Sequence, residues 1–125
     1  MKNSTDHNVF KPYIDRKGIK REFYVLVDPI RIEFVKRPKK SSLISIYRTK
    51  TFRRYDFCSL QNCWKEAQCG SVVLFKENKS EWITVLCKEH SEKRISGKIK
   101  FATLKEDVLL VPYVTAMNKS ELQTQ

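Results

Sequence analysis

Glycine and histidine are scarce, with 3 Gly and 2 His in 125 residues. Three glycines leave no glycine-rich loop to cradle phosphates, and two histidines leave little from which to assemble a nucleophilic triad. Long apolar runs are missing too. Stretches such as residues 108–111 fall far short of the roughly 20 residues that cross a bilayer. Residues 1–10 are polar, without the apolar core of a signal peptide, so the expected location is a reducing compartment, the cytoplasm or the nucleus or nucleoid, away from membranes. The 3 Ala, with 17 Lys against 8 Arg, suit an AT-rich genome such as that of a low-GC bacterium, a bacteriophage or several eukaryotes.

Positive charge is abundant. The formal net charge is +11, and residues 1–57 carry 15 Lys and Arg against 6 Asp and Glu, while the remainder is close to balanced. Between residues 31 and 54, nine cations face only Glu33. Such a density repels itself unless a polyanion or an acidic surface lies against it.

Hydrophobic residues make up 41% of the chain and fall in patterned runs, which is enough for a packed core. Residues 1–21 read as a polar, basic arm or short helix, residues 22–114 as one β-rich domain holding a zinc module at 55–96, and residues 115–125 as a tail. Period-two patterning predicts strands over 23–27 and 30–35. Residues 38–42 read as a turn-rich basic connection, after which strands are expected over 43–48 and 51–57, most simply as a hairpin with a cationic tip. A second hairpin is expected over 70–76 and 82–86, one short helix over 87–95 stopped by Gly97, and a last hairpin over 98–104 and 108–114. The resulting fold class is mainly β with a minor helical part: a small β-barrel or twisted sheet of roughly seven or eight short strands with an inserted zinc module.

All four cysteines lie between positions 58 and 87, and His90 follows, giving C-x4-C-x5-C-x17-C-x2-H. Zinc takes thiolate and imidazole in a tetrahedron, and two donors a few residues apart on a turn chelate it from one side. Cys58 with Cys63 makes one such pair, and Cys87 with His90, at a strand end and one turn into a helix, makes the other. Disulfides and free thiols are the competing readings, but the clustering and the reducing compartment favour a structural zinc ion.

This segment, over residues 45–95, resembles small treble-clef-like zinc fingers: a Cys-rich knuckle, Ala67 soon afterwards, a β-hairpin and a Leu86-Cys87-Lys88-Glu89-His90 ending. That resemblance implies the ligands Cys58, Cys63, Cys87 and His90. A second resemblance, to the WRKY/FLYWCH zinc-finger group, rests on Arg54-Tyr55-Asp56-Phe57-Cys58, on the strand that begins at Cys69, and on Trp82-Ile83-Thr84-Val85. It implies Cys69 in place of Cys63, although position 92 is Glu where that group ends in His-x-His. The first set is preferred because Cys63 sits on a polar turn, whereas Cys69 abuts an apolar strand in which a cysteine serves as a small core residue.

A closed four-ligand site has no open position for hydrolytic chemistry, and Glu89, the nearest candidate base, belongs to a charged helix, so no enzymatic activity is expected. Binding is the expected role. Arg37, Lys39, Lys40, Arg48, Lys50, Phe52, Arg53 and Arg54 form the candidate nucleic-acid surface. Strand parity would put Arg48, Lys50, Phe52 and Arg54 on one face and Tyr47, Tyr55 and Phe57 on the other. The leading expectation is a zinc-stabilised nucleic-acid-binding protein, DNA favoured, acting in transcription or genome regulation. The alternative is a compact adaptor of phage or mobile-element type that meets an acidic surface of a host complex such as the transcription machinery. Nothing in the sequence marks an oligomeric state.

Overall fold

The nearly unbroken apolar run over residues 82–86 must be buried on two sides at once, and the fold supplies both. The computed structural model describes residues 9–36 and 42–114. It contains strands β1 (Phe10–Ile14), β2 (Lys20–Leu26), β3 (Ile30–Val35), β4 (Cys69–Phe75), β5 (Glu81–Leu86), β6 (Phe101–Leu104) and β7 (Leu109–Pro112), with helices α1 (Leu43–Thr51) and α2 (Lys88–Ile95). The strands form one antiparallel sheet in the order β1-β2-β7-β5-β4-β3-β6, which is not closed into a barrel. The chain is therefore mainly β, and the open twisted sheet is the member of the expected pair that forms.

Trp82 and Leu86 pack on one face of the sheet with Leu26, Phe75, Leu104 and the cysteine-bearing loop, while Ile83 and Val85 pack on the other with Phe23, Tyr47, Leu109 and Val111. Helix α1 covers the second face. Its Tyr47 is fully buried, and the Tyr47 hydroxyl donates to the Leu109 carbonyl at 2.8 Å. The approach is close enough to require glycine on β4. A Cβ at Gly70 would lie 2.6 Å from the Ile44 amide nitrogen and 2.7 Å from Leu43.

Three expectations need correction. Residues 43–51 are helical, not a strand. The Ser42 hydroxyl accepts the Ser45 N–H at 3.3 Å as an N-cap, and Leu43, Tyr47 and Thr51 recur at helical spacing toward the sheet. Burial of that stripe outweighs the β-propensity of its Ile, Tyr and Thr residues. The hairpin expected over residues 43–57 therefore does not exist, and the described residues hold two helices of eight or more residues. Secondly, β6 and β7 do not pair with each other: β6 lies on the sheet edge beside β3, and β7 fits between β2 and β5. Thirdly, residues 10–14, expected as an arm or short helix, form edge strand β1, where Pro12 costs no internal ladder bond. Residues 37–41, which hold most of the expected basic connection, and residues 115–125, expected as a tail, lie outside the described residues.

Candidate metal centre

Two local structures bring the donors together. The first is a knuckle over residues 58–66, closed by the Cys58 amide donating to the Lys65 carbonyl at 2.8 Å and the Cys63 amide donating to the Leu60 carbonyl at 3.1 Å. Asn62 takes the left-handed backbone (φ 67°) that the turn demands, and asparagine tolerates it well. The Ser59 amide reaches the Val85 carbonyl at 3.0 Å, and the Gln61 amide reaches the Thr103 carbonyl at 2.9 Å. These bonds fasten the knuckle to β5 and β6. The second structure is the junction of β5 and α2. Cys87 is the N-cap of α2, with its sulfur accepting the His90 N–H at 3.5 Å, so the helix start aims both side chains at the knuckle.

The sulfur atoms of Cys58, Cys63 and Cys87 and a ring nitrogen of His90 all lie within 4.8 Å of one another. Cys63 Sγ is 3.9 Å from Cys87 Sγ, while His90 Nδ1 is 3.5 Å from Cys58 Sγ and 3.3 Å from Cys87 Sγ. A zinc tetrahedron with bonds of about 2.3 Å to sulfur and about 2.0–2.1 Å to nitrogen has S···S edges of about 3.8 Å and S···N edges of about 3.5 Å. These three separations are close to those edges, and 3.9 Å is far beyond a disulfide bond length of about 2.05 Å. The donor set fits a metal ion, with zinc the natural occupant of three thiolates and an imidazole.

The electrostatics differ between the thiols. Burial pushes the Cys58 thiol up to about 12, with the Cys87 and Cys63 thiols adding repulsion. At Cys63 burial also opposes ionisation, but the Lys65 backbone N–H, the Cys58 and Cys87 side chains and the Lys105 charge outweigh it, and the thiol sits below its usual range. A dication among these sulfurs removes their mutual repulsion, which is why metal binding displaces thiol protons.

The remaining sequence-predicted residues lie elsewhere. Cys69 is at the start of β4 opposite Leu86 and outside the cluster. Glu89 faces outward, paired with Lys65 and, at 3.4 Å, with Lys93. Arg37, Lys39 and Lys40 fall outside the described residues. Arg48 is tied down by the Ala67 carbonyl at 3.0 Å and Asp56 at 3.3 Å, and Lys50 pairs with Glu22 at 3.6 Å. Phe52 is the left-handed C-cap of α1, with the Arg21 guanidinium 5.1 Å from its ring centroid; Arg53 is exposed, and the Arg54 guanidinium lies 5.6 Å from the Tyr13 ring centroid. With α1 helical, these residues do not share a strand face, so the expected basic face over 48–54 is corrected. Of the rings expected opposite, Tyr47 is buried but Phe57 is 48% exposed.

Sequence reasoning missed two features of the knuckle. Trp64 is 67% exposed and lies edge-to-face with Phe57 at 6.3 Å. Beneath it Lys105 is buried, its ammonium donating to the Cys63 carbonyl. The isolated Trp within a polar turn was a legible sign of the first, but nothing local marked Lys105. No known family model, curated protein or solved structure matches the chain.

Proposed function

We propose that this chain is a zinc-stabilised binding protein whose partner is nucleic acid, DNA favoured, contacted with little sequence specificity in transcription or genome regulation. The observation that carries the metal half is the gathering of the Cys58, Cys63, Cys87 and His90 donor atoms within 4.8 Å of one another. Bound there, zinc has all four positions filled by protein, so its role is to hold the knuckle against β5 and α2. The reading includes no catalysis.

The partner follows from charge. A net +11 concentrated in residues 1–57 suits phosphates, and half-exposed rings at Phe57 and Trp64 offer surfaces for bases to stack on. Helix α1 spends its Tyr47 and Thr51 face on the sheet, and its Arg48 and Lys50 already pair with Asp56 and Glu22, which favours weak specificity over readout by a helix in a groove.

The test is binding of labelled single- and double-stranded DNA and RNA across a salt series. Log affinity should fall linearly with log salt, and charge reversal at Lys39 and Lys40 should weaken binding and flatten the slope by about one unit per lost phosphate contact. Salt-independent binding, or none, would count against the reading. A stoichiometric protein complex that survives nuclease would favour the adaptor alternative instead.

A further inference from the structure

Beyond the metal cluster, the end of β3 and the turn after α2 enclose a cavity of about 380 Å³, within the usual range of small-molecule sites. Phe34, Val35 and Ile99 give it an apolar wall, and Lys36, Arg94 and Lys100 supply three cations, with no acidic side chain among the described lining residues. The turn that shapes it depends on Gly97, whose φ of 82° lets the chain reverse after α2 and run back beside β3. The Phe34 amide then donates to the Lys100 carbonyl at 2.9 Å, which fixes the two sides of the cavity together.

Arg94 is the informative residue. Its Nε is buried and has no hydrogen-bond partner among the described residues. The end of α2 does not use it. The carbonyls of Glu92, Lys93 and Arg94 are already taken by the amides of Ser96, Lys98 and Gly97 at 2.8–3.2 Å. Burial also holds the guanidinium pKa below its usual value, a sign that its charge is incompletely solvated. That nitrogen is itself closed to solvent, so what Arg94 offers a ligand in the cavity is its charge and the rest of its guanidinium, a group that favours an anion beside it.

We propose that this cavity seats one nucleotide unit of a bound single strand, its phosphate on Arg94 and Lys100 and its base or sugar against Phe34 and Ile99. The wall chemistry selects this ligand over a bare anion, because half of the lining is apolar and gains only from an organic body. The inference rests on the nucleic-acid reading above and gives it a defined site.

The test uses the zinc-loaded full chain in two arms. In the first, adenosine monophosphate and, separately, inorganic phosphate are titrated while backbone amides are followed by NMR. AMP should shift the amides of residues 34–36 and 97–100, phosphate should do so more weakly, and the double variant Arg94→Gln with Lys100→Gln should abolish both responses. In the second arm a labelled single-stranded oligonucleotide is bound at low salt. The double variant should lose on the order of tenfold in affinity, whereas the equally charged control Lys76→Gln with Lys79→Gln, outside both the basic segment and the cavity, should lose less than about threefold. Circular dichroism matching the parent checks that each variant is folded, and Arg94→Lys, which keeps the charge and the fold, should retain part of the AMP response.

Amides at the cavity that do not respond to AMP, or a pocket variant no weaker than its control, would overturn the assignment while leaving the polyanion reading intact. An oligonucleotide that fails to bind the parent chain would sink that wider reading. The AMP arm would then decide by itself whether the cavity is a nucleotide site.

Discussion

The ammonium of Lys105 lies 3.4 Å from the centroid of the Trp64 ring while donating to the carbonyl of Cys63. One buried cation thus holds the residue that carries a metal-donor sulfur and the most exposed large ring of the knuckle. The Tyr55 ring centroid lies 5.9 Å away on the same ammonium, and the Tyr55 hydroxyl donates to the Cys58 carbonyl at 3.1 Å. Both cysteines of the knuckle are therefore anchored through their carbonyls, Cys58 by a residue three positions before it and Cys63 by the residue that follows β6.

Lys105→Met should keep the side-chain volume but leave the Cys63 carbonyl without its partner. The expected loss is about 1–3 kcal/mol, read as a lower urea midpoint with an unchanged slope. Trp64 fluorescence should also change, since the cation leaves its ring. A variant as stable as the parent would show that Lys105 merely fills space.

Protein purified without added metal should carry about one zinc per chain by elemental analysis. Chelation should loosen the knuckle and unfold the β5–α2 junction. Cys63→Ser should abolish metal retention, whereas Cys69→Ser should keep it and cost less than about 1 kcal/mol. Retention by Cys63→Ser together with loss by Cys69→Ser would transfer the site to the other ligand set.

Gly70→Ala adds a single carbon where α1 meets β4, 2.6 Å from the backbone of Ile44. Since backbone has little room to give, the helix must lift, and a loss of about 1–3 kcal/mol is expected. Near-ultraviolet circular dichroism should change in parallel, because Tyr47 rides on the same helix. Full stability in this variant would mean that α1 docks less tightly than its contacts require.

Asp15 closes the β1–β2 turn. Its carboxylate accepts the Ile19 and Lys17 amides at 2.9 Å and pairs with Arg21 at 2.6 Å. The Ile19 N–H, with Arg21 and the Lys17 N–H, holds its pKa below the ordinary carboxylate value against a smaller opposing effect of burial. A depressed folded-state pKa means that the unfolded chain binds the proton first, so the contribution is complete above the unfolded pKa of about 3.9 and is lost as pH falls through the folded one. Asp15→Ala should therefore be less stable than the parent at pH 6, with the gap closing as pH drops below about 4. A gap that persists in acid would show that the turn does not depend on the carboxylate charge.

Much of this protein was determined by sequence alone, and for a common reason. The donors Cys58 and Cys63 sit on one turn and Cys87 and His90 on one helix start, so covalent spacing already sets each pair. Likewise the β4–β5 hairpin and the stop of α2 at Gly97 depend on neighbours within a few residues. Tertiary structure decided the rest. Residues 43–51 satisfy both a strand-rich composition and a helical stripe, and only docking of Tyr47 on Leu109 selects the helix. Strands β6 and β7 are close in the chain, yet they join different neighbours because a strand's partner is set by which faces can be buried together, not by loop length. Lys105 and Arg94 read as two more cations in a basic sequence. The burial of Lys105 and of the Arg94 Nε, and with it their meaning, exists only once distant segments close over them.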